Sequence, residues 1–239
     1  MRVLGIVPAR GGSTRVPMKN LRLLGGRPLV SWALSAAVES RLLSRVVVSS
    51  DDPRILRVAE DCLPGSALLR PAVFARADSP AIEYVTHAVA HVLKTHQESV
   101  DAVAIIQPTS PFTRGVDIDG VIELLGRSQS DSAVTVVRVP HDVHPAKMKR
   151  LQGSLLVPYI EEEAERFSHL ELPAIYVRNG SVYAATLQTV QSGTLVGPRC
   201  AGYEMPRERS VDINDPTDLA WAEYLYDRLQ GDSLSARTD

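Results

Sequence analysis

Arg2-Val-Leu-Gly-Ile-Val7 runs straight into Pro8-Ala-Arg-Gly-Gly-Ser-Thr-Arg-Val-Pro-Met-Lys-Asn20, and this junction decides how the chain is read. The first stretch has the apolar content of a strand buried on both faces. The second places two glycines and three cations, Arg10, Arg15 and Lys19, immediately after it. Gly11 and Gly12 let the backbone approach a phosphate chain, and successive N–H groups can form an anion nest. Arginine adds bidentate phosphate contacts. A buried strand followed by a cationic glycine loop is how an α/β protein presents a ligand at the carboxyl ends of its strands. The spacing matches neither a dinucleotide loop nor a GK[ST] phosphate loop. A basic surface turn is the competing reading, and the strand in front of it argues against that.

Outward from this junction the chain alternates short β-branched runs with amphipathic stretches. Strands are expected at Arg45–Ser49, Ala67–Leu69, Asp101–Ile106 and Ala133–Val139. Helices are expected at Trp32–Glu39, at Pro53–Asp61 after the caps Asp51-Asp52, at Pro80–His96 and at Val116–Leu125. In the third helix Ile82, Val85, Val89 and Val92 mark one face. Repeated βα units predict a mostly parallel sheet with helices on both faces, a three-layer core. Residues 141–173 break the rhythm: they are polar, with a hairpin signal at Gln152-Gly153 and an acidic run, Glu161–Glu163, that reads as a solvated face. Ala174–Ala185 returns to the sheet, and Asp215–Leu229 closes as a helix. One domain over 1–230 is expected, with 141–173 as an excursion on the dimerisation and acceptor side and 231–239 as a flexible tail.

With 239 residues, 44% apolar and 23% charged, the chain has the composition of an ordinary globular protein. A formal net charge of −2 argues against general nucleic-acid or membrane partners. Cys62 and Cys200 have no metal-ligand spacing and read as reduced. Met1–Val7 is too short for a leader, and no run approaches the roughly 20 apolar residues of a membrane helix, so the expected location is the cytoplasm. The spacing of His141, His144 and His169 fits no zinc motif, and each reads as a structural histidine.

The glycine loop resembles the A-R-G-G-S-K-R-[IL]-P-x-K-N signature of the acylneuraminate (CMP-sialic acid) cytidylyltransferases. Further matches follow in order: Ser50-Asp51, Arg70-Pro71 with Asp78-Ser79, Gln107-Pro-Thr-Ser-Pro111, His144-Pro-Ala-Lys147, Arg178-Asn-Gly180 and Val211-Asp-Ile-Asn214. The resemblance implies a Rossmann-like, nucleotide-diphospho-sugar transferase fold. It implies a nucleotide site made by Ala9, Arg10, Gly11, Gly12, Ser13, Arg15, Lys19, Asn20, Arg70, Asp78 and Ser79, with Asn20 and Arg70 near the cytidine. It assigns catalysis to Arg10, Lys19, Gln107, Lys147 and Asp212, and the acceptor to Gln107, Lys147, His169, Arg178 and Asn179. The chain has four lysines, and two of them, Lys19 and Lys147, fall at motif positions. Asp212 is the leading metal ligand, because Mg²⁺ (or Mn²⁺) takes one or two carboxylates together with phosphate oxygens. Residue 214 alternates with it and faces the same side. Arg207 and Arg209 are either pyrophosphate contacts or a solvated loop.

Three departures from the pattern matter. Thr14 replaces the lysine of S-K-R, and Asn214 replaces the second aspartate of D-I-D. His169 and Val177 stand where the family carries the arginines of R-x-x-L-P and R-P-N-G, which suit a sugar carboxylate. The expected reaction is CMP transfer from CTP to a small anionic acceptor, a nonulosonic or sialic-acid-like sugar, with release of pyrophosphate, in a homodimer. Sialic acid itself is expected to be a poor substrate. The alternatives are a phosphonate acceptor and a non-catalytic, nucleotide-binding regulator.

Overall fold

The computed structural model describes residues 1–13, 15–160 and 172–235. Thr14, Glu161–Glu163 and His169 lie outside them. β1 (Val3–Pro8) is buried on both faces, Val3 and Val7 in one core and Leu4 and Ile6 in the other, as the period of two requires. A 3₁₀ turn at Lys19–Leu21 and a small hairpin, β2 (Leu23–Leu24) and β3 (Arg27–Pro28), lead into α1 (Leu29–Glu39). The expected alternation follows as β4 (Leu43–Ser50), α2 (Pro53–Cys62), β5 (Ala67–Leu69), α3 (Ala81–His96), β6 (Ala102–Ile106), α4 (Gly115–Arg127) and β7 (Ser132–Arg138). The excursion contains the anticipated hairpin, β8 (Lys149–Gln152) and β9 (Leu155–Pro158), which turns at Gly153 with φ 64°. β10 (Tyr176–Thr186), α5 (Leu187–Gln191), β11 (Cys200–Glu204) and α6 (Pro216–Ser235) complete the chain.

Seven strands form one sheet in the order β11-β7-β10-β6-β1-β4-β5. β1 is parallel to β4 and β6, β4 to β5, and β7 to β11, whereas β10 is antiparallel to both β6 and β7. The reversal has a simple cause. The chain leaves the sheet at the carboxyl end of β7, makes its excursion there, and re-enters at the same edge. β11 has no counterpart among the sequence-derived strands. Cys200-Ala-Gly-Tyr-Glu204 has no β-branched residue and carries Gly202 at its centre, so an edge strand is silent in its composition.

α1, α2 and α4 cover one face through Val30, Leu34, Ile55, Ile118, Val121 and Leu125. α3 and α5 cover the other through Val85, Val89, Val92 and Val190. Burying each such side chain contributes about 1.5–3 kcal/mol, which is what holds three layers together. A third cluster joins Leu24, Leu29, Phe112, Val211, Ile213 and Ala222, so α6 clamps the segments after β6 and before itself. α6 continues through Gly231 to Ser235, past the point where the tail was expected to begin. An interior glycine costs a helix about 1 kcal/mol, too little to end one twenty residues long. The parallel strands deliver Pro8–Ser13, Ser50–Asp52 and Gln107–Pro111 to one edge of the sheet, where the site lies.

Candidate active site

The glycine loop is built from β1 outward. Ala9 prolongs the pairing by donating its N–H to the Ser49 carbonyl at 3.0 Å, and its methyl sits in the core, so its side chain is structural. The Gly11 N–H donates to Asp51 Oδ1 at 2.9 Å, and a Cβ on Gly11 would stand 2.9 Å from Asp52 Oδ2. The Ser13 N–H turns back to the Gly11 carbonyl at 2.9 Å. Two of the amides expected in an anion nest are therefore spent inside the protein, and side chains supply the loop's positive character. Asn20, itself buried, donates to the Arg10 carbonyl at 2.9 Å and pins the loop. Asp51 and Asp52, both expected as helix caps, divide the work. Asp52 caps α2 through the Arg54 N–H at 2.9 Å, while Asp51 holds Gly11.

A cleft of about 330 Å³ brings together Arg10, Ser13, Arg15, Lys19, Asn20, Arg70, Ser79, Gln107 and Asn214, all expected from the sequence. Burial holds Lys19 below the ordinary lysine range. Asp212 opposes that shift, and Arg15 and Arg10 add to it. Arg70 is only 4% exposed, donates to Ser49 Oγ at 3.0 Å and to the Ser49 carbonyl at 2.8 Å, and lies over the Tyr84 ring at 4.4 Å. Burial lowers its pKa, so the wall contains a desolvated cation with no carboxylate bonded to it among the described residues. Burial pushes Tyr84 up to about 12, keeping its hydroxyl neutral beside Gln107. Tyr84, Phe74, Arg76 and Thr109 also line the cleft and were not singled out from the sequence. The available signal was a tyrosine interrupting the aliphatic face of α3, since a buried hydroxyl needs a partner.

Opposite the loop, Ile213 donates its N–H to the Thr109 carbonyl at 2.8 Å. Asp212 and Asn214 face the same side as expected: Asn214 Nδ2 donates to Asp212 Oδ2 at 2.8 Å. A carboxylate only accepts, so the amide nitrogen must face it and the Asn214 carbonyl points elsewhere. Among the described residues no group of three or more His, Cys, Asp or Glu side chains could hold a metal. The donor set here is one carboxylate with a neighbouring amide, which suits a Mg²⁺ ion bound mainly by phosphate oxygens and water.

Other expected site residues stand apart from the cleft. Asp78 is exposed, 3.7 Å from Arg76 Nε. Lys147 lies on a 3₁₀ turn of the excursion, with Nζ 3.0 Å from His141 Nδ1. Arg178 is exposed on β10. Asn179 is buried, its amide donating to Ser210 Oγ at 2.9 Å and to Met205 Sδ at 3.3 Å. His144 is a satisfied structural histidine, with Nδ1 accepting from the Ala146 N–H and Nε2 against the Pro173 carbonyl, both at 3.2 Å. Arg209 pairs with the wholly buried Asp117, which removes it from the possible pyrophosphate contacts. Arg207 is exposed and lines a separate cavity at the ends of β7 and β11.

Residues 4–199 match the family described as Cytidylyltransferase. This chain belongs to the cytidylyltransferase family. The enzyme is 32% identical to the CMP-N,N'-diacetyllegionaminic acid synthase of Legionella pneumophila, over 96% of this chain and 98% of that one. It is 26% identical to the pseudaminic acid cytidylyltransferase of Campylobacter jejuni, over 95% and 97% of the two chains. With N-acylneuraminate cytidylyltransferase A of Danio rerio it shares 30% identity over 92% of its own length and 49% of the fish protein's. Its fold is that of CMP:2-keto-3-deoxy-manno-octonic acid synthetase solved with CTP, with a TM-score of 0.68 at 16% identity, covering 95% of this cytidylyltransferase and 99% of that chain. The nucleotidyltransferase activity expected from the motifs follows from the family. These relatives favour neither the phosphonate acceptor nor the non-catalytic regulator.

Proposed function

We propose that this cytidylyltransferase transfers CMP from CTP to a nonulosonic acid, with Mg²⁺ or Mn²⁺, as a homodimer in the cytoplasm, where CTP is drawn upon. The observation that carries the reading is the convergence of Arg10, Arg15, Lys19 and Arg70 on one cleft, with Asp212 beside Lys19. Four cations match a triphosphate, and the deepest of them, Arg70, lies with Tyr84 and Gln107 where a pyrimidine ring would be flanked. An acceptor hydroxyl oxygen attacks the α-phosphorus in line and gives up its proton to water, and the bond to the departing pyrophosphate breaks with its electron pair. Positioning and neutralisation of charge supply the catalysis, and no covalent enzyme intermediate is required. Asp212 would hold the metal ion, whose contribution is to neutralise charge on the phosphates.

The full-length coverage of the legionaminic and pseudaminic acid enzymes supports a nonulosonic acceptor. The excursion supports the homodimer. Leu151, Leu155, Leu156, Tyr159 and Tyr176 are all exposed, an apolar surface that a second copy would cover. The test is pyrophosphate release and product mass with CTP, Mg²⁺ and a panel of nonulosonic acids, alongside the molar mass in solution. Turnover of at least one nonulosonic acid by a dimer is expected. Failure on the whole panel would overturn the acceptor, and a monomer would overturn the assembly.

A further inference from the structure

β10 is continuous in the sheet but not regular. Its pairing with β7 runs Arg178↔Val136 and then Tyr183↔Val134, so four residues, 179–182, bulge opposite Thr135. Bulges near sites re-aim side chains and end pairing. Here the bulge turns Asn179 inward, where it is 5% exposed. Its amide nitrogen donates to Ser210 Oγ at 2.9 Å, and Ser210 Oγ in turn donates to the Pro206 carbonyl at 2.8 Å. Asn179 Oδ1 accepts from the Ser181 N–H at 3.3 Å, and Ser181 Oγ shares a 2.6 Å hydrogen bond with Thr113. Every polar atom of the Asn179 side chain is thus spent on the segment leading to Asp212 or on the bulge itself. Gly180 follows with φ 78°, and a Cβ there would stand 3.1 Å from the Asp212 carboxyl carbon and from Oδ2. The bulge is a seat: one residue fixes Ser210, the next, lacking a Cβ, leaves room for the Asp212 carboxyl, and Asn214 closes the far side through its 2.8 Å hydrogen bond to Oδ2.

We infer that Asn179 is a positioning residue for Asp212, acting through Ser210, and that it does not contact the acceptor. The inference rests on the metal role proposed for Asp212. It changes the meaning of the Arg178-Asn-Gly180 motif in this chain, from acceptor recognition to the aiming of one carboxylate. Partners behind a metal ligand typically tune metal affinity by about 10–100-fold, and that is the effect to look for.

The test compares the full-length wild type with Asn179→Ala, Asn179→Asp, Ser210→Ala and the Asn179→Ala/Ser210→Ala pair. Asn179→Asp keeps the acceptor atom for Ser181 but cannot donate to Ser210. Ser210→Ala leaves every candidate acceptor contact in place and serves if Asn179 variants fold poorly. Mn²⁺ held in the enzyme–CTP complex is measured by water-proton relaxation without any acceptor, and KM values are measured separately. The expected result is a loss of Mn²⁺ affinity of about tenfold in each single variant, no further loss in the pair, and unchanged acceptor KM. A silent Ser210→Ala with a raised acceptor KM in Asn179→Ala would overturn the inference, and so would losses that add in the pair. If no nonulosonic acid is turned over, the acceptor proposal fails while the Mn²⁺ measurement still decides this one.

Discussion

Lys19 Nζ donates a 2.8 Å hydrogen bond to the carbonyl of Ile213, joining segments 194 residues apart. One segment is the cationic loop after β1 and the other carries Asp212, so a single contact joins the two segments proposed to hold the triphosphate and its metal ion. The loop is held from behind by Asp51 and Asn20. The far segment is held by Thr109 and by the apolar packing of Val211 and Ile213. The backbone of the loop and the Lys19 ammonium are therefore held in place by the protein itself.

Lys19 carries a pH dependence whose sign follows from burial. Its pKa lies below the ordinary lysine value of 10.5. Between that lowered value and 10.5 the unfolded chain holds more protons than the folded one, so this group makes stability rise with pH there. Function moves the other way, because neutral Lys19 no longer attracts phosphate. CTP affinity should fall as pH rises through a range below 10.5, and Lys19→Arg should remove that limb. A limb that persisted in Lys19→Arg would assign it to another group.

Arg10→Ala should weaken CTP binding by about 1.5–3 kcal/mol, roughly one to two orders of magnitude, since it deletes a charge-assisted contact. Calorimetric titration with CTP and Mg²⁺ measures it. An unchanged Kd would mean that the loop does not hold the triphosphate.

Part of this site is legible in the sequence and part is not. That Arg10, Lys19 and Gln107 share one cleft is legible because their placement is local: cations beside glycines and an amide at a strand end, all at the carboxyl ends of parallel strands. Tyr84 and the pairing of Arg70 with Ser49 are not, since both depend on how α3 and β5 pack against β4. Arg209 reads as either a pyrophosphate contact or a solvated loop, and Asn179 comes to the acceptor only through the resemblance. Their partners, Asp117 and Ser210, lie 92 and 31 residues away, and no spacing rule connects them. The reversal of β10 was equally silent, because a strand's direction is not written in its composition.

Asp212→Asn should lower kcat far more than CTP affinity, since charge neutralisation matters most when charge moves in the transition state. Steady-state kinetics at saturating Mg²⁺, with CTP binding measured apart, separate the two. A normal kcat would exclude Asp212 from metal binding.

Arg209→Met should destabilise the fold and leave the KM for CTP unchanged. It strands Asp117, which is wholly buried and otherwise accepts from the Arg114 N–H. Breaking a buried pair from one side costs about 3–5 kcal/mol, which for a domain of this size lowers Tm on the order of 10 °C. A raised KM with an unchanged Tm would return Arg209 to the pyrophosphate contacts.

The last prediction concerns Val177, which is 53% exposed near the start of β10, at the sheet edge that carries the cleft. The resemblance puts an arginine for the acceptor carboxylate at this position, and the arginine present, Arg178, is one residue late and points to the opposite face. All nonulosonic acids share that carboxylate, so its loss should weaken every one of them alike and show as a high acceptor KM. Val177→Arg should then lower the KM by about tenfold or more, the worth of one charged hydrogen bond at roughly 1.5–3 kcal/mol. The carboxamide analogue of the same acceptor should gain nothing. Equal gains for acid and amide would show that the new side chain acts by packing, and no gain for either would place the acceptor carboxylate away from β10.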